Sequence, residues 1–487
     1  MPPRRSRLVP TEVRAELAAS LAELRRSLDV PDSFPAAVLA EAEEVARRVP
    51  TTPSGDVADL REIPFLTIDP AGSTDLDQAL HLARTDNGGA VLHYAIADVA
   101  AFVAPGGEVD AEARRRGQTM YAPDGRVPLH PEILSEDAAS LLPDRDRRAF
   151  VWRFVLDSGA RPVETTLTRA VVRSRRQWTY EEGQRAIDDG SAPESLALMP
   201  WFGQQRAERE RERGGASLNL PETRIVAEGD GYRLERSEGV PLEDHNAHVS
   251  LLTGMAAAEI MVRGRIGILR TMPPADADDV ADFRRQTVAL GIPWPTDTPY
   301  GDYLRGLDRS PAARAVKEYA AGLFRGAGYA AFDGELPEET TQAAIGAPYA
   351  HATAPLRRLV DRWVLVVCEA LVQEREVPDW ARESLPELPS LMSASGQRVS
   401  QLTAGALDRV EAAVLHGHEG EEFEAVVLSV RADAARVQLQ SPPVEAKVRG
   451  LDATPGSTVR LRLVQADVSA GTVVFAPVDR AADGRSR

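Results

Sequence analysis

The order of its hydrophobic periodicities constrains this chain more than any single residue does. Residues 12–28 and 35–49 carry apolar side chains at helical spacing, and a Pro/Thr/Ser/Gly stretch at 50–55 closes that region. The period then shortens to that of strands. Segments 63–68, 76–84, 90–99, 149–156 and 163–173 read as strands, with hairpin loops at 85–89 and at Ser158-Gly159. Residues 108–116 between them look helical. Thr179 and Glu182 have the spacing of a capping box and should open a helix. After one more hairpin at 224–235, turning at Asp230-Gly231, the pattern becomes helical at 244–263, 277–290, 311–324, 355–374 and about 392–416. Strands first and helices afterwards predict an α+β fold rather than a doubly wound sheet. From residue 421 five short strands follow, at 421–431, 434–440, 444–448, 458–465 and 472–477, which suits a small OB-type barrel. Its aromatics are Phe423 and Phe475, a thin platform for stacking bases. The expected divisions are a helical extension at 1–58, a main domain at 59–415, the barrel at 416–480 and a polar tail at 481–487.

Charge narrows the function. The 487 residues hold 57 Lys and Arg against 74 Asp and Glu, a formal net charge of −17. That argues against a protein that coats polyanions indiscriminately, and leaves open a basic channel of limited extent. No apolar run approaches the ~20 residues of a membrane helix. The basic N-terminus has no apolar core of a secretory signal. The one cysteine, Cys368, sits in an apolar helical run and is expected in the core, so neither an internal disulfide nor a thiolate cluster can form. A cytoplasmic location is the expectation.

The densest chemical signal is TIDPAGSTDLDQ at 67–78. Asp69, Asp75 and Asp77 flank a Pro/Gly turn, and Asp75 and Asp77 are two apart, so extended backbone points them to one face. Converging carboxylates repel, and a hard divalent cation is a natural way to hold them together. On spacing alone, a solvated acidic turn is the competing reading.

The second signal is YAHATAPLRRLVDR at 349–362. Pro355 suits the first position of a helix, which would put Arg357 and Arg358 in its first turn. Cations there oppose the helix dipole unless an anion joins them, so Arg357 reads as a phosphate ligand. Arg358 and Arg362 could equally pair with Asp361 on the helix surface.

Together, and in this order, these segments resemble the RNB catalytic domain of the ribonuclease II/R family. Its acidic motif reads roughly T-I-D-x-x-x-x-x-D-x-D-D-A, here TIDPAGSTDLDQA, and its arginine motif Y-T-H-F-T-S-P-I-R-R, here YAHATAPLRR. The stretch from Ile96 to Pro143 and the segment GGASLNLPETRI at 214–225 are similar as well, so the resemblance spans about residues 60–375. It implies a mixed sheet with packed helices, followed by an S1-like OB barrel. It also implies a magnesium-dependent 3′-to-5′ exoribonuclease that hydrolyses single-stranded RNA to nucleoside 5′-monophosphates. Carried over, Asp69, Asp75, Asp77 and Gln78 stand at metal positions, Asp77 as the critical carboxylate with Asp75 in support. Arg357 stabilises charge on the scissile phosphate. Tyr121 matches an aromatic that stacks near the RNA 3′ end. Arg358, Tyr349 and His351 belong to the arginine motif and could contact RNA. Arg173 and Arg176 could form a channel wall, giving a positive entry on a negative surface. A monomer acting on RNA, not DNA or membrane, is expected.

The departures define the alternative. Gln78 replaces the family's fourth aspartate, and Ala352 and Ala354 replace Phe and Ser. Some sixty N-terminal residues of helical pattern cannot supply the family's paired cold-shock barrels. An RNB-fold protein that binds RNA with weakened or lost catalysis is therefore the rival. His245 and His248, with Glu259 nearby, lack a convincingly spaced third ligand and are expected to be structural.

Overall fold

A computed structural model describes residues 13–216, 222–228, 231–237, 239–308, 310–431 and 433–478. The polar tail, the Asp230 turn position and residues 217–221 of the 214–225 segment lie outside the described residues. The order is α+β, as the periodicities predict: a strand-rich first part, mostly helices, then a separate five-stranded sheet.

Eight strands of the first part bear on function: β1 (Ala58–Asp59), β2 (Phe65–Asp69), β3 (Gln78–Arg84), β4 (Ala90–Ala97), β5 (Met120–Ala122), β6 (Gly125–Val127), β7 (Asp146–Leu156) and β8 (Pro162–Thr179). The main sheet runs β1-β8-β2-β3-β4-β7, and β7 pairs again with β8, so five of its strands close into a ring. β8 closes it by length. Its first part pairs antiparallel with β7 and its last residues, Ser174–Thr179, pair parallel with β2. The periodicity places its end at residue 173. The extension to Thr179 is imposed by β2, a partner remote in sequence. Thr179 then caps the next helix with the expected capping box.

Alternation gives the sheet two apolar faces. Tyr94, Phe150, Trp152 and Phe154 join a large core with the helices behind, while Ala95, Ala97, Ala149 and Ala170 pack in a second cluster with the helix Ala36–Arg48. Helix Leu359–Val372 is buried along almost its whole length, with Cys368 inside the core. It starts four residues after Pro355. The chain at 357–359 instead pairs with residues 117–119, through Thr119 N–H to Arg357 O (2.9 Å) and Leu359 N–H to Gly117 O (3.0 Å). Residues 355–357 form a turn closed by Arg358 N–H to Ala354 O (2.9 Å), and the extended pairing at Arg358 separates that turn from the helix, so Arg357 and Arg358 precede it.

The C-terminal strands Glu422–Arg431, Ala434–Leu439, Glu445–Arg449, Thr458–Asp467 and Thr472–Pro477 form one antiparallel sheet whose edge strands approach each other, a nearly closed barrel. Phe423 and Phe475 meet edge to face in its core and are buried, so they offer no stacking surface. The long helix Leu388–Leu415 runs from the main core to the barrel. There Leu402, Ala406 and Val410 share a cluster with Leu17, Leu21 and Leu24 of the first helix, Arg14–Ser27. Among the described residues no helix is long and apolar enough to cross a membrane.

Candidate active site

The carboxylate turn is fixed from one side. Leu76 is fully buried, its N–H bonded to Ser140 Oγ (2.9 Å) and its O to Leu141 N–H (3.0 Å). With Leu76 anchored inward, its neighbours Asp75 and Asp77 turn the other way. Asp69 arrives at the end of β2. The three carboxylates, Tyr121, Arg126, Tyr180 and Arg357 line one cavity of about 560 Å³.

The carboxylates are not equivalent. Asp77 is 4% exposed, and its Oδ1 accepts from the Leu356 N–H at 2.7 Å. Its Oδ2 is buried and accepts no hydrogen bond among the described residues, and Arg357 Nε lies 3.4 Å away. Burial pushes the Asp77 carboxyl up to about 8, against the pull of Arg357 and the Leu356 N–H. Asp69 Oδ2 is likewise buried with no hydrogen-bond partner among the described residues, and burial raises this carboxyl to about 6, against the pull of the Thr67 side chain and Arg357. Asp75 differs: Oδ1 accepts from Arg126 Nη1 (3.0 Å) and Oδ2 from the Tyr121 hydroxyl (3.2 Å).

Gln78 borders the cavity, but its amide is engaged elsewhere. Nε2 donates to Thr353 O (2.7 Å) and Oε1 accepts from the Tyr94 hydroxyl (2.6 Å). It ties β3 to the arginine segment. Among the described residues no group of three or more His, Cys, Asp or Glu side chains forms a metal-ligand cluster. The donor set nevertheless suits a hard cation. Asp69 and Asp77 each keep a buried oxygen with no hydrogen bond among the described residues, and magnesium takes one or two carboxylates and completes its shell with water and phosphate.

Arg358 faces away from Arg357. It pairs with Asp361 through Nε (2.5 Å) and Nη2 (2.9 Å), and Asp361 Oδ1 also accepts from the Ala354 N–H (2.7 Å). Arg362 does not share this partner; it bonds Asp110 Oδ1 at 2.6 Å. Arg358 and His351 line a second cavity of about 580 Å³ together with Gln118, Arg270 and Tyr329. His351 Nδ1 meets the Tyr329 hydroxyl at 2.7 Å, and Tyr349 lies edge-on against the His351 ring. Arg173 and Arg176 are not brought to the carboxylates. Arg173 Nε bonds Asp146 Oδ1 (2.7 Å), Arg176 covers the Trp178 ring, and neither lines the cavity. Glu259 pairs with Arg263 on the helix surface.

Two residues at the site carry no signal in the motifs, Tyr180 and Arg126. The Pro123-Asp124-Gly125 turn does predict a hairpin that would set Tyr121 opposite Arg126, and that register is present.

Comparisons with known proteins bear on the two domains that carry this site. The profile described as "RNB domain" matches residues 57–374, and "RNase II-type exonuclease C-terminal S1 domain" matches 421–478. The chain is 27% identical over 446 residues to Ribonuclease R of Aquifex aeolicus, covering 87% of this chain and 62% of that protein. It therefore spans about three-fifths of that relative's length. Mycoplasma genitalium RNase R, solved with ribose-methylated single-stranded RNA, superposes with a TM-score of 0.85 at 18% identity, covering 95% of this chain and 78% of that one. Yeast Ssd1, described as a pseudonuclease, superposes at 0.66 with 19% identity, covering 81% of this chain and 50% of its own.

Proposed function

The chain belongs to the RNB-domain family, and on that premise we propose that it hydrolyses single-stranded RNA from the 3′ end to nucleoside 5′-monophosphates with magnesium. One observation carries the reading: two buried carboxylate oxygens, on Asp69 and Asp77, accept no hydrogen bond among the described residues and share a cavity with Arg357. Such a site is short of positive charge until a cation and a phosphate enter together. The aligned relative is named Ribonuclease R, and the superposed Mycoplasma enzyme holds single-stranded RNA.

The residues divide the work. Asp69 and Asp77 would hold the cation, which supplies Lewis acidity to a phosphate oxygen. Arg357 donates to the phosphate and offsets charge that grows as the bond to the leaving oxygen lengthens. The Leu356 N–H holds Asp77 Oδ1, so the carboxylate keeps its orientation through the cycle. Tyr121, half exposed at the cavity wall, offers a ring to the terminal base. Burial around Asp77 keeps bulk water from dissipating these charges. The second cavity behind Arg358 gives an incoming strand polar and cationic walls.

The non-catalytic alternative has one observation in its favour. The Gln78 amide is committed to Tyr94 and Thr353, leaving the family's fourth acidic position without a charge. A 5′-labelled single-stranded RNA with magnesium separates the readings. Stepwise shortening supports the nuclease; binding without shortening at protein excess supports the alternative. Competition with DNA of the same sequence tests the choice of RNA.

A further inference from the structure

Asp75 is held by a group that the nuclease reading does not use. The β5–β6 hairpin sets Tyr121 opposite Arg126. Opposed residues across a pair of strands project from the same face. The hydroxyl and the guanidinium therefore arrive together, one on each oxygen of Asp75. Arg126 is itself gripped from behind. Its Nη2 donates to Thr74 Oγ1 (2.8 Å) and pairs with Glu136 on the helical segment Ile133–Ala138. Thr74 Oγ1 donates in turn to Glu136 Oε2 at 2.7 Å. A carboxylate, a hydroxyl and a guanidinium thus form a closed set that ends on Asp75.

The two arginines lining the cavity divide the acids. Arg357 attends Asp77, and Arg126 attends Asp75. A partly buried carboxylate that loses its counter-charge either takes up a proton or draws in the nearest cation. Without Arg126 the cation lining the same cavity is Arg357. We infer that Arg126, braced by Glu136, is a positioning residue. It fixes Asp75 and prevents it from pulling Arg357 off Asp77 and the scissile phosphate. The inference rests on the nuclease reading. It assigns Arg126 no contact with RNA.

The test uses the full chain, with Arg126→Ala and Arg126→Lys, each alone and in an Asp75→Asn background. Turnover and KM on single-stranded RNA are measured, together with Mn2+ affinity by titration calorimetry. Groups that orient metal-site ligands typically contribute 10–100-fold. Arg126→Ala should therefore lower kcat by about 10–100-fold and, by leaving Asp75 without its counter-charge, tighten Mn2+ binding, with RNA KM changed less than about threefold. Lys should recover part of the loss. In the Asp75→Asn background, Arg126→Ala should add little, because a residue acting through Asp75 has nothing left to position. Equal losses in both backgrounds would overturn the inference. So would a raised KM at unchanged kcat, which marks an RNA-binding cation. If Arg126→Ala does not fold, Glu136→Gln keeps the arginine while loosening it. That variant should show the same kcat-selective loss in milder form, and wild-type kcat there counts against the inference. A wild-type chain that shortens no RNA defeats the nuclease reading instead, and the Mn2+ titrations still report on Arg126.

Discussion

Arg357 Nε lies 3.4 Å from Asp77 Oδ2, an oxygen that is buried and has no hydrogen-bond partner among the described residues. The contact is an ion pair without a hydrogen bond, and the Arg357 side chain remains half exposed. Arg357 is thus near enough to compensate Asp77 and free enough to serve a phosphate. The two residues come from segments 280 positions apart (357 − 77), joined by the Leu356 N–H bond to Asp77 Oδ1.

Asp77→Asn removes the charge but keeps the acceptor for Leu356. RNA cleavage should fall by about 10³-fold or more, since the site loses a charged group aimed at the reacting centre. RNA affinity, read by fluorescence anisotropy in EDTA, should change less than about threefold. Retained turnover would remove Asp77 from its role.

Arg357→Ala should lower kcat by about 10²–10³-fold, the usual cost of deleting a donor to developing charge. Arg357→Lys should recover only part, because an ammonium cannot match the planar fork of a guanidinium on phosphate. Steady-state kinetics on one defined oligonucleotide distinguish the three proteins.

Gln78→Asp shortens the side chain, deprives Thr353 O of this donor and leaves the Tyr94 hydroxyl with Ser250 Oγ (3.0 Å) alone of its two partners. It also adds a charge beside Asp77. Chemical denaturation without metal should show a loss of about 1–3 kcal/mol, the cost of stranding buried polar groups. Metal affinity should not rise. A gain in Mn2+ affinity would instead mark the position as a weakened ligand site.

Glu411, on the long helix against the barrel, gives a stability signature independent of catalysis. It is 4% exposed, and its Oε1 accepts from the Glu445 N–H at 3.0 Å. Burial pushes its carboxyl from 4.5 up to about 8; Glu445 and Asp408 add to the shift, while that N–H bond and Arg436 oppose it. Between those values the folded state holds a proton that the unfolded state has released. Stability from this group is therefore full below pH 4.5 and is lost as pH rises through 8. Glu411→Gln keeps the acceptor and cannot ionise. Relative to wild type it should gain about 1–3 kcal/mol at pH 8.5 and next to nothing at pH 4. A constant difference across that range would contradict the assignment.

Local pattern accounts for much of this fold. The α+β order, the capping box at Thr179 and the five barrel strands all follow from periodicity and turn chemistry, because each is settled by nearby residues. The misplaced boundaries have remote partners. β8 outruns its pattern because β2 pairs with its end, and the helix after Pro355 starts late because residues 117–119 pair with 357–359. The site follows the same rule. Two-residue spacing shows that Asp75 and Asp77 share a face, but nothing local shows that Gln78 bridges Tyr94 to Thr353. A charge run is equivocal in the same way: Arg173 and Arg176 look like a channel wall, and in the fold one bonds Asp146 while the other covers Trp178. The turn at 123–125 is enough to set Arg126 opposite Tyr121, but its pairing with Asp75 and Glu136 shows only in the fold.

On the proposed function, Asp69, Asp77 and Arg357 cut RNA one nucleotide at a time from its 3′ end. The direct measurement is the first product released from a single-stranded RNA labelled on its 3′-terminal nucleotide, resolved by chromatography with and without magnesium. A labelled nucleoside 5′-monophosphate, appearing first, requiring magnesium and absent with Asp77→Asn, is the expected result. Labelled oligonucleotides as the first product, or full-length RNA bound and unchanged, would contradict it.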